Sequence, residues 1–298
     1  MSADVEILSG QRFEFGENWS SFLRLVDEER VHAAEVSLAE MLGRDDLSGQ
    51  RFLDAGSGSG LFSLAARRLG ARVHSFDYDR RSVACTAELK RRYFSNDTHW
   101  VVQEGSVLDT MFLDTLGVFD IVYSWGVLHH TGAMWQAMEN VSRLVVDGGT
   151  LFISIYNDQG AASQRWASVK RFYCKSPSII RWGVIGSVGA IWTGRALARR
   201  LTKPRQLLAK GHAVQRARAR SMSRYYDLKD WVGGYPFEVA KPEAVLEFYR
   251  SRRFDLLRLT TDDGHGCNQY VFQKRSARAS EVSTTPVTDT EAAHQTIS

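Results

Sequence analysis

Three cysteines in 298 residues, Cys85, Cys174 and Cys267, are too few and too widely spaced for a disulfide framework or a zinc site. That usage fits a reducing compartment. Residues 1–10 are polar and acidic, so no secretory leader is expected and the expected location is cytoplasmic. The charge-free run 182–194 is 13 residues long, where a bilayer crossing needs about 20. Acidic residues are missing altogether from 159 to 226, a stretch that holds 15 of the 38 Lys and Arg. The other 23 basic residues face 34 acidic ones, so an acidic body carries a strongly basic insert.

What is present begins at residue 51, RFLDAGSGSG, followed by LFSLAARRLG and ARVHSFDYD. Phe52-Leu53 closes a short apolar run that reads as a buried strand. Asp54, Gly56, Gly58 and Gly60 form a tight loop. Residues 61–69 are apolar at helical spacing and stop at Gly70, and a second strand, 72–76, ends on an acid, Asp77. A strand, Gly loop, helix, strand and acid in this order frame a nucleoside site at the carboxyl ends of parallel strands. Glycines there let the backbone approach a ligand closely. A dinucleotide fingerprint would put its third glycine where Leu61 stands. An acid inside the loop, Asp54, is awkward beside a pyrophosphate and suits a cationic ligand.

Further segments follow in order. Residues 98–104 read as a third strand before Gly105-Ser106-Val107-Leu108-Asp109. Residues 119–125, FDIVYSW, read as a fourth strand running into Gly126-Val127-Leu128-His129-His130. A helix over 134–144 and a turn at Asp147-Gly148-Gly149 precede a fifth strand, 150–156. A helix from 242, a strand from 254 and a last strand, 268–274, follow, and the alternation of strands with helices argues a parallel sheet.

The D-x-G-x-G-x-G loop with these matches resembles class I S-adenosylmethionine (SAM) methyltransferases, loosely the bacterial ubiquinone-biosynthesis type of O-methylase. The resemblance covers residues 50–156 and resumes over 241–274. It implies an α/β, Rossmann-like, seven-stranded, mostly parallel sheet with helices on both faces, completed by an edge hairpin, and a helical basic cap after the fifth strand. The expected layout is an N-terminal helical segment (1–48), a SAM-binding core (49–156), the cap (157–240), completion of the sheet (241–275) and a disordered tail (276–298). The cofactor implied is SAM. Its implied contacts are Asp54, Gly56, Ser57, Gly58, Gly60, Asp77, Tyr78, Gly105, Ser106, Val107, Ser124 and Trp125. No metal is expected.

Methyl transfer to a hydroxyl needs positioning and removal of a proton, and histidine is the natural base near neutral pH. His129 and His130, after the fourth strand, are the candidates, with His265 a more distant one. Tyr156, Asn157 and Tyr235 are expected at the acceptor. Phe13, Phe15 and Trp19 precede a helix expected from Ser20 or Ser21; they could close over the cofactor, and plain packing is the favoured reading. The apolar run with Trp182 and Trp192 and its basic flanks suits a pocket lid or core, the surface of an anionic membrane, or an oligomer interface. The strip QRARARSMSR (215–224) could meet nucleic acid or be a solvated helix face. No N-P-P-Y or D-P-P-Y follows the fourth strand, where Ser124-Trp125-Gly126-Val127 stands. The expected activity is O-methylation of a small aromatic or lipid-like hydroxylated acceptor. An RNA methyltransferase and a non-catalytic binding module are the alternatives.

Overall fold

A computed structural model describes residues 3–202, 224–262 and 264–276; for 195–202 and Arg224 only the backbone is described. The strip at 215–223 and the tail beyond 276 lie outside the described residues.

The strands are β1 (Arg51–Ala55), β2 (Arg72–Asp77), β3 (Trp100–Glu104), β4 (Phe119–Trp125), β5 (Val145–Tyr156), β6 (Phe254–Thr260) and β7 (Cys267–Lys274). They form one sheet in the order β3-β2-β1-β4-β5-β7-β6. β1 to β5 run parallel, and β7 is antiparallel to both β5 and β6. The expected seven-stranded sheet with an edge hairpin is present. The chain order reverses between β1 and β4, which opens a crevice beyond their carboxyl ends. The turn at Asp147-Gly148-Gly149 lies inside β5, where the pairing with β4 shifts between Phe119 and Ile121.

Central strands covered on both faces are apolar throughout, and their two-residue period sorts side chains to opposite layers. Leu53, Val122, Leu151 and Ile153 pack on one face with α6 (Thr110–Leu116), α7 (Met134–Arg143) and α11 (Pro242–Arg250). Phe52, Ile121, Tyr123 and Phe152 pack on the other with α3 (Glu28–Leu42), α4 (Leu61–Arg68) and α5 (Arg80–Phe94). A third cluster holds the cap: Phe13 joins Tyr173 and Cys174 of α8 (Ala161–Lys175), Ile185 and Val188 of α9 (Ser178–Thr202), and Val232 of α10 (Arg224–Gly233). No helix of the described residues is long and apolar enough to cross a membrane.

Two helices precede α3: α1 (Ala3–Leu8) and α2 (Phe15–Phe22). The expected start of a helix at Ser20 or Ser21 is wrong by five residues. Glu14, at the N-cap of α2, makes no side-chain capping bond. The cap comes instead from Asp79, whose Oδ2 accepts the Gly16 N–H at 2.9 Å while Oδ1 accepts the Arg81 N–H at 2.9 Å. One buried carboxylate therefore caps both α2 and α5, a tertiary arrangement without a local signal. Removing it in Asp79→Ala deletes an N-cap and strands a buried donor, at a cost of about 2–4 kcal/mol. Chemical denaturation should show that loss. Limited proteolysis should cut the N-terminal segment first and leave the sheet intact.

Candidate functional site

The carboxyl ends of β1 to β4 surround a cavity of about 420 Å³. The loop after β1 carries three glycines in the left-handed region, with φ of +89° at Gly56, +54° at Gly58 and +80° at Gly60. Each also has a partner within the chain. A Cβ on Gly56 would lie 2.4 Å from the Val127 side chain, on Gly58 3.0 Å from the Trp19 indole, and on Gly60 2.9 Å from the Thr86 backbone. Gly105 is similar, because a Cβ there would meet the Phe112 ring at 2.2 Å. The folded chain needs these glycines whether or not a ligand is present. Val127, pressed on Gly56, divides the large cavity from a smaller one of about 140 Å³ that Asp54, Ser57, Gly58 and Trp125 line.

Asp77 faces the large cavity. Its Oδ2 accepts the Gly58 N–H and its Oδ1 the Asp79 N–H, both at 2.9 Å. Each oxygen keeps a further lone pair, so the carboxylate can still take two ribose hydroxyls. Desolvation lifts its pKa to about 6, against the two backbone bonds. Asp54 is 2% exposed and accepts the Ser63 hydroxyl at 2.5 Å. Desolvation pushes it to about 7, and the negative charge of Asp77 adds to the shift. Two desolvated acids beside an open cavity are a poor arrangement for an empty protein and a good one for a cationic ligand. Tyr78, Ser106 and Val107 complete this end. The Tyr78 hydroxyl donates to Glu6 at 3.1 Å, and the Arg12 guanidinium lies 5.0 Å from its ring centroid.

The far wall comes from the N-terminal segment, which contributes Glu6, Arg12, Phe13 and Phe15. Phe13 and Phe15 line the large cavity and Trp19 covers the Gly loop, although Phe13 also packs in the cap cluster. Arg12 binds Glu6 at 2.7 Å and the His130 carbonyl at 2.9 Å. His130 stands in the cavity wall beside Gly126 and Val127, and its Nδ1 lies 2.6 Å from the Pro236 carbonyl. A carbonyl only accepts, so Nδ1 carries the proton and Nε2 keeps the lone pair. Burial drives the His130 pKa down to about 3, with Lys170 and Arg12 adding to the shift against the Pro236 bond.

Other expected site residues serve elsewhere. The Ser57 hydroxyl pairs with Thr86 at 2.9 Å. Ser124 lies outside the described cavities; it is fully buried and donates to the Ala55 carbonyl at 2.8 Å, tying β4 to β1. Gly60 turns the chain into α4. His129 sits behind His130 with no exposure and 4.2 Å from the Tyr156 ring centroid, and neither lines a described cavity. The Asn157 side chain donates to the carbonyls of Asp262 and Gly264. Tyr235 accepts the Phe13 N–H through its carbonyl at 2.8 Å. Sequence reading missed Glu6, Arg12 and Val127. Only the tertiary fold brings the first two to the cavity, and Val127 reads as an ordinary strand-end residue.

The residues fit SAM: an acid for the ribose, a tight loop, and a desolvated acid in the adjoining cavity for the cationic end. Ligand binding that needs both carboxylates must weaken as pH falls through about 7 and then about 6, approaching tenfold per unit for each group. For the ligand-free chain the sign is opposite. Stability from these raised groups is full below the ordinary carboxylate range and is lost as pH rises through 6 to 7. Calorimetry with S-adenosylhomocysteine should show affinity climbing from pH 5.5 to 8. Asp77→Asn should lower it about 10- to 100-fold, the size of charge-assisted hydrogen bonds. A flat pH profile would remove both acids from the site.

Comparison with known proteins agrees with this geometry. Residues 53–153 match the model of a methyltransferase domain family. A ubiquinone biosynthesis O-methyltransferase of Xanthomonas oryzae is 33% identical over 133 residues, covering 44% of this chain and 54% of that protein. The chain thus spans about half the length of that relative. A ribosomal protein L11 methyltransferase of Methylococcus capsulatus is 37% identical over 80 residues, 26% of this chain and 27% of that one. The crystal structure of magnesium protoporphyrin IX methyltransferase from Synechocystis superposes with a TM-score of 0.49 at 12% identity, over 83% of this chain and 84% of that one. That likeness is too distant to carry anything about the reaction. Residues 53–153, from β1 into β5, are a methyltransferase domain.

Proposed function

We propose that the chain methylates an acidic hydroxyl on a small aromatic or lipid-like acceptor, with SAM as donor. SAM, when bound, supplies an electrophilic methyl group on a sulfonium. The observation that carries the reading is His130 in the wall of the cofactor cavity, with its tautomer set by Pro236 and its lone pair on Nε2. Phe13 and Phe15 restrict water and present rings to a flat acceptor. An imidazole of such low basicity is a hydrogen-bond acceptor for the hydroxyl and a weak proton acceptor, so the hydroxyl must itself be acidic, such as a phenol. His129 lies behind His130, their ring centroids 4.5 Å apart.

The exposed apolar residues of the cap support contact with an anionic membrane surface. Ile179 is 81% exposed and Trp182 63%. Phe172 and Ile191 are exposed too, in a stretch without a single acid. Basic residues near anionic headgroups add about 1 kcal/mol each at low salt.

Transfer of tritiated methyl should be measured with lipid extract, polar metabolites and total RNA as separate acceptors. Lipid extract or metabolites should be labelled; labelling of RNA alone would replace the hydroxyl reading by the RNA one. With the labelled pool, His130→Ala should slow transfer about a hundredfold, at the low end for a general base, with affinity for S-adenosylhomocysteine nearly unchanged. The deficit should shrink at high pH, where an acidic hydroxyl ionises unaided.

Co-sedimentation tests the surface. The wild type should bind anionic vesicles at low salt, bind neutral ones far less, and release as salt rises. A double variant, Trp182→Ala with Trp192→Ala, should bind more weakly. Absence of binding to anionic vesicles at low salt would leave the cap as a lid alone.

A further inference from the structure

Lys170 is the one lysine among the described residues with no exposure at all. No carboxylate lies within ion-pair distance of it among the described residues. Its ammonium donates to the Trp231 carbonyl and lies 4.8 Å from the Trp231 ring centroid, 4.7 Å from that of Phe237 and 6.0 Å from that of Tyr156. One turn further along α8, the Cys174 thiol donates to the Gly233 carbonyl at 3.2 Å. Two side chains on one face of α8 therefore satisfy the last carbonyls of α10. A cation is favoured at a helix C-terminus, and faces of aromatic rings attract it further.

The chain leaves α10 at Gly233 and becomes a strap across the site. Along it the Tyr235 carbonyl takes the Phe13 N–H, the Pro236 carbonyl takes His130 Nδ1–H, and the Glu238 N–H donates to the His129 carbonyl. The Glu238 carboxylate then accepts the N–H of Met134, where α7 begins. The strap thus fixes the aromatic lid, the tautomer of His130 and the helix after it. Its start is held by Lys170.

We infer that Lys170 is a positioning residue for His130: by fixing the end of α10 it sets the Pro236 carbonyl that holds the imidazole in its Nδ1–H form. The inference rests on the reading of His130 given above. Lys170 also acts on His130 by charge. Groups facing Lys170 are Asp230 on α10, Cys174 on its own helix, Cys267 on β7, and His129 and Tyr156 at the ends of β4 and β5. Its pKa is lowered to about 7 by burial, so the charge is costly where it stands. An apolar side chain of similar length should be tolerated by the fold, since buried charges are often replaceable without loss of stability.

The test is imidazole nitrogen NMR on Lys170→Met, with Lys170→Gln as a second variant that is neutral and too short to reach Trp231. In the wild type, His130 should stay in the neutral Nδ1–H form from pH 5 to 8. In whichever variant folds, the Nε2–H form should appear and the ring should begin to titrate nearer its ordinary value. Affinity for S-adenosylhomocysteine should stay within twofold, while turnover with the labelled acceptor pool should drop at least tenfold. An unchanged tautomer and titration in a folded variant would overturn the inference. If the tautomer shifts as expected but the wild type methylates none of the three pools, Lys170 still positions His130 and the reading of His130 as proton acceptor fails instead.

Discussion

A single buried chain of hydrogen bonds holds the cofactor end of this molecule together. The Trp100 indole N–H on β3 donates to the Ser75 hydroxyl on β2 at 2.8 Å. Ser75 donates to the Ser63 hydroxyl on α4 at 2.7 Å, and Ser63 to Asp54 on β1 at 2.5 Å. None of the four residues is more than 2% exposed. Buried polar groups of this kind are stabilising only if every member is satisfied, so the chain fixes three strands and a helix to one another, from the start of β3 to the carboxyl half of β1. It also leaves Asp54 in one orientation, at the edge of the smaller cavity. Gly56 and Gly58, with Trp19 and Val127, line the same cavity.

Burial of charge explains much of the rest. Asp54 and Asp77 are lifted toward neutral pH because the cavity walls exclude water, and only a ligand with complementary polar groups makes their ionised forms comfortable. On the acceptor side the same exclusion acts with the opposite sign. His129 and His130 are held neutral by desolvation, and neighbouring cations, Lys170 for both and Arg12 for His130, press in the same direction. The large cavity thus has both kinds of wall, Asp77 on one side and the unprotonated His130 on another, while Asp54 stands in the adjoining cavity beyond Gly56 and Val127.

How much of this could be read from residues depends on how local the cause is. β4 begins and ends where its apolar alternation predicts, and β1, β2 and the edge hairpin differ from expectation by a residue or so, because period and flanking turns decide them. Asp77 faces the cavity because an acid at the end of β2 has nowhere else to go. The start of α2 was invisible, since its cap is donated by Asp79, more than sixty residues away. Ser124 looked like a site residue and is a strand tie, because its position in the motif does not reveal which face it takes. Lys170 was one of 15 like charges in the insert. Nothing in its neighbours distinguishes the one that turns inward to cap a helix from those that face water.

The electrostatics of the acceptor side bear on which nucleophile can work there. On the proposed reading, an amine that arrives as an ammonium would meet Arg12 in the cavity wall and would have to shed its proton before reacting, whereas a neutral hydroxyl enters without that cost. On that reading His130 accepts a hydrogen bond from the O–H through Nε2 and orients it. The depressed basicity that would disqualify this histidine with an aliphatic alcohol is compatible with a phenol-like acceptor. Both points support the proposal of a hydroxyl acceptor.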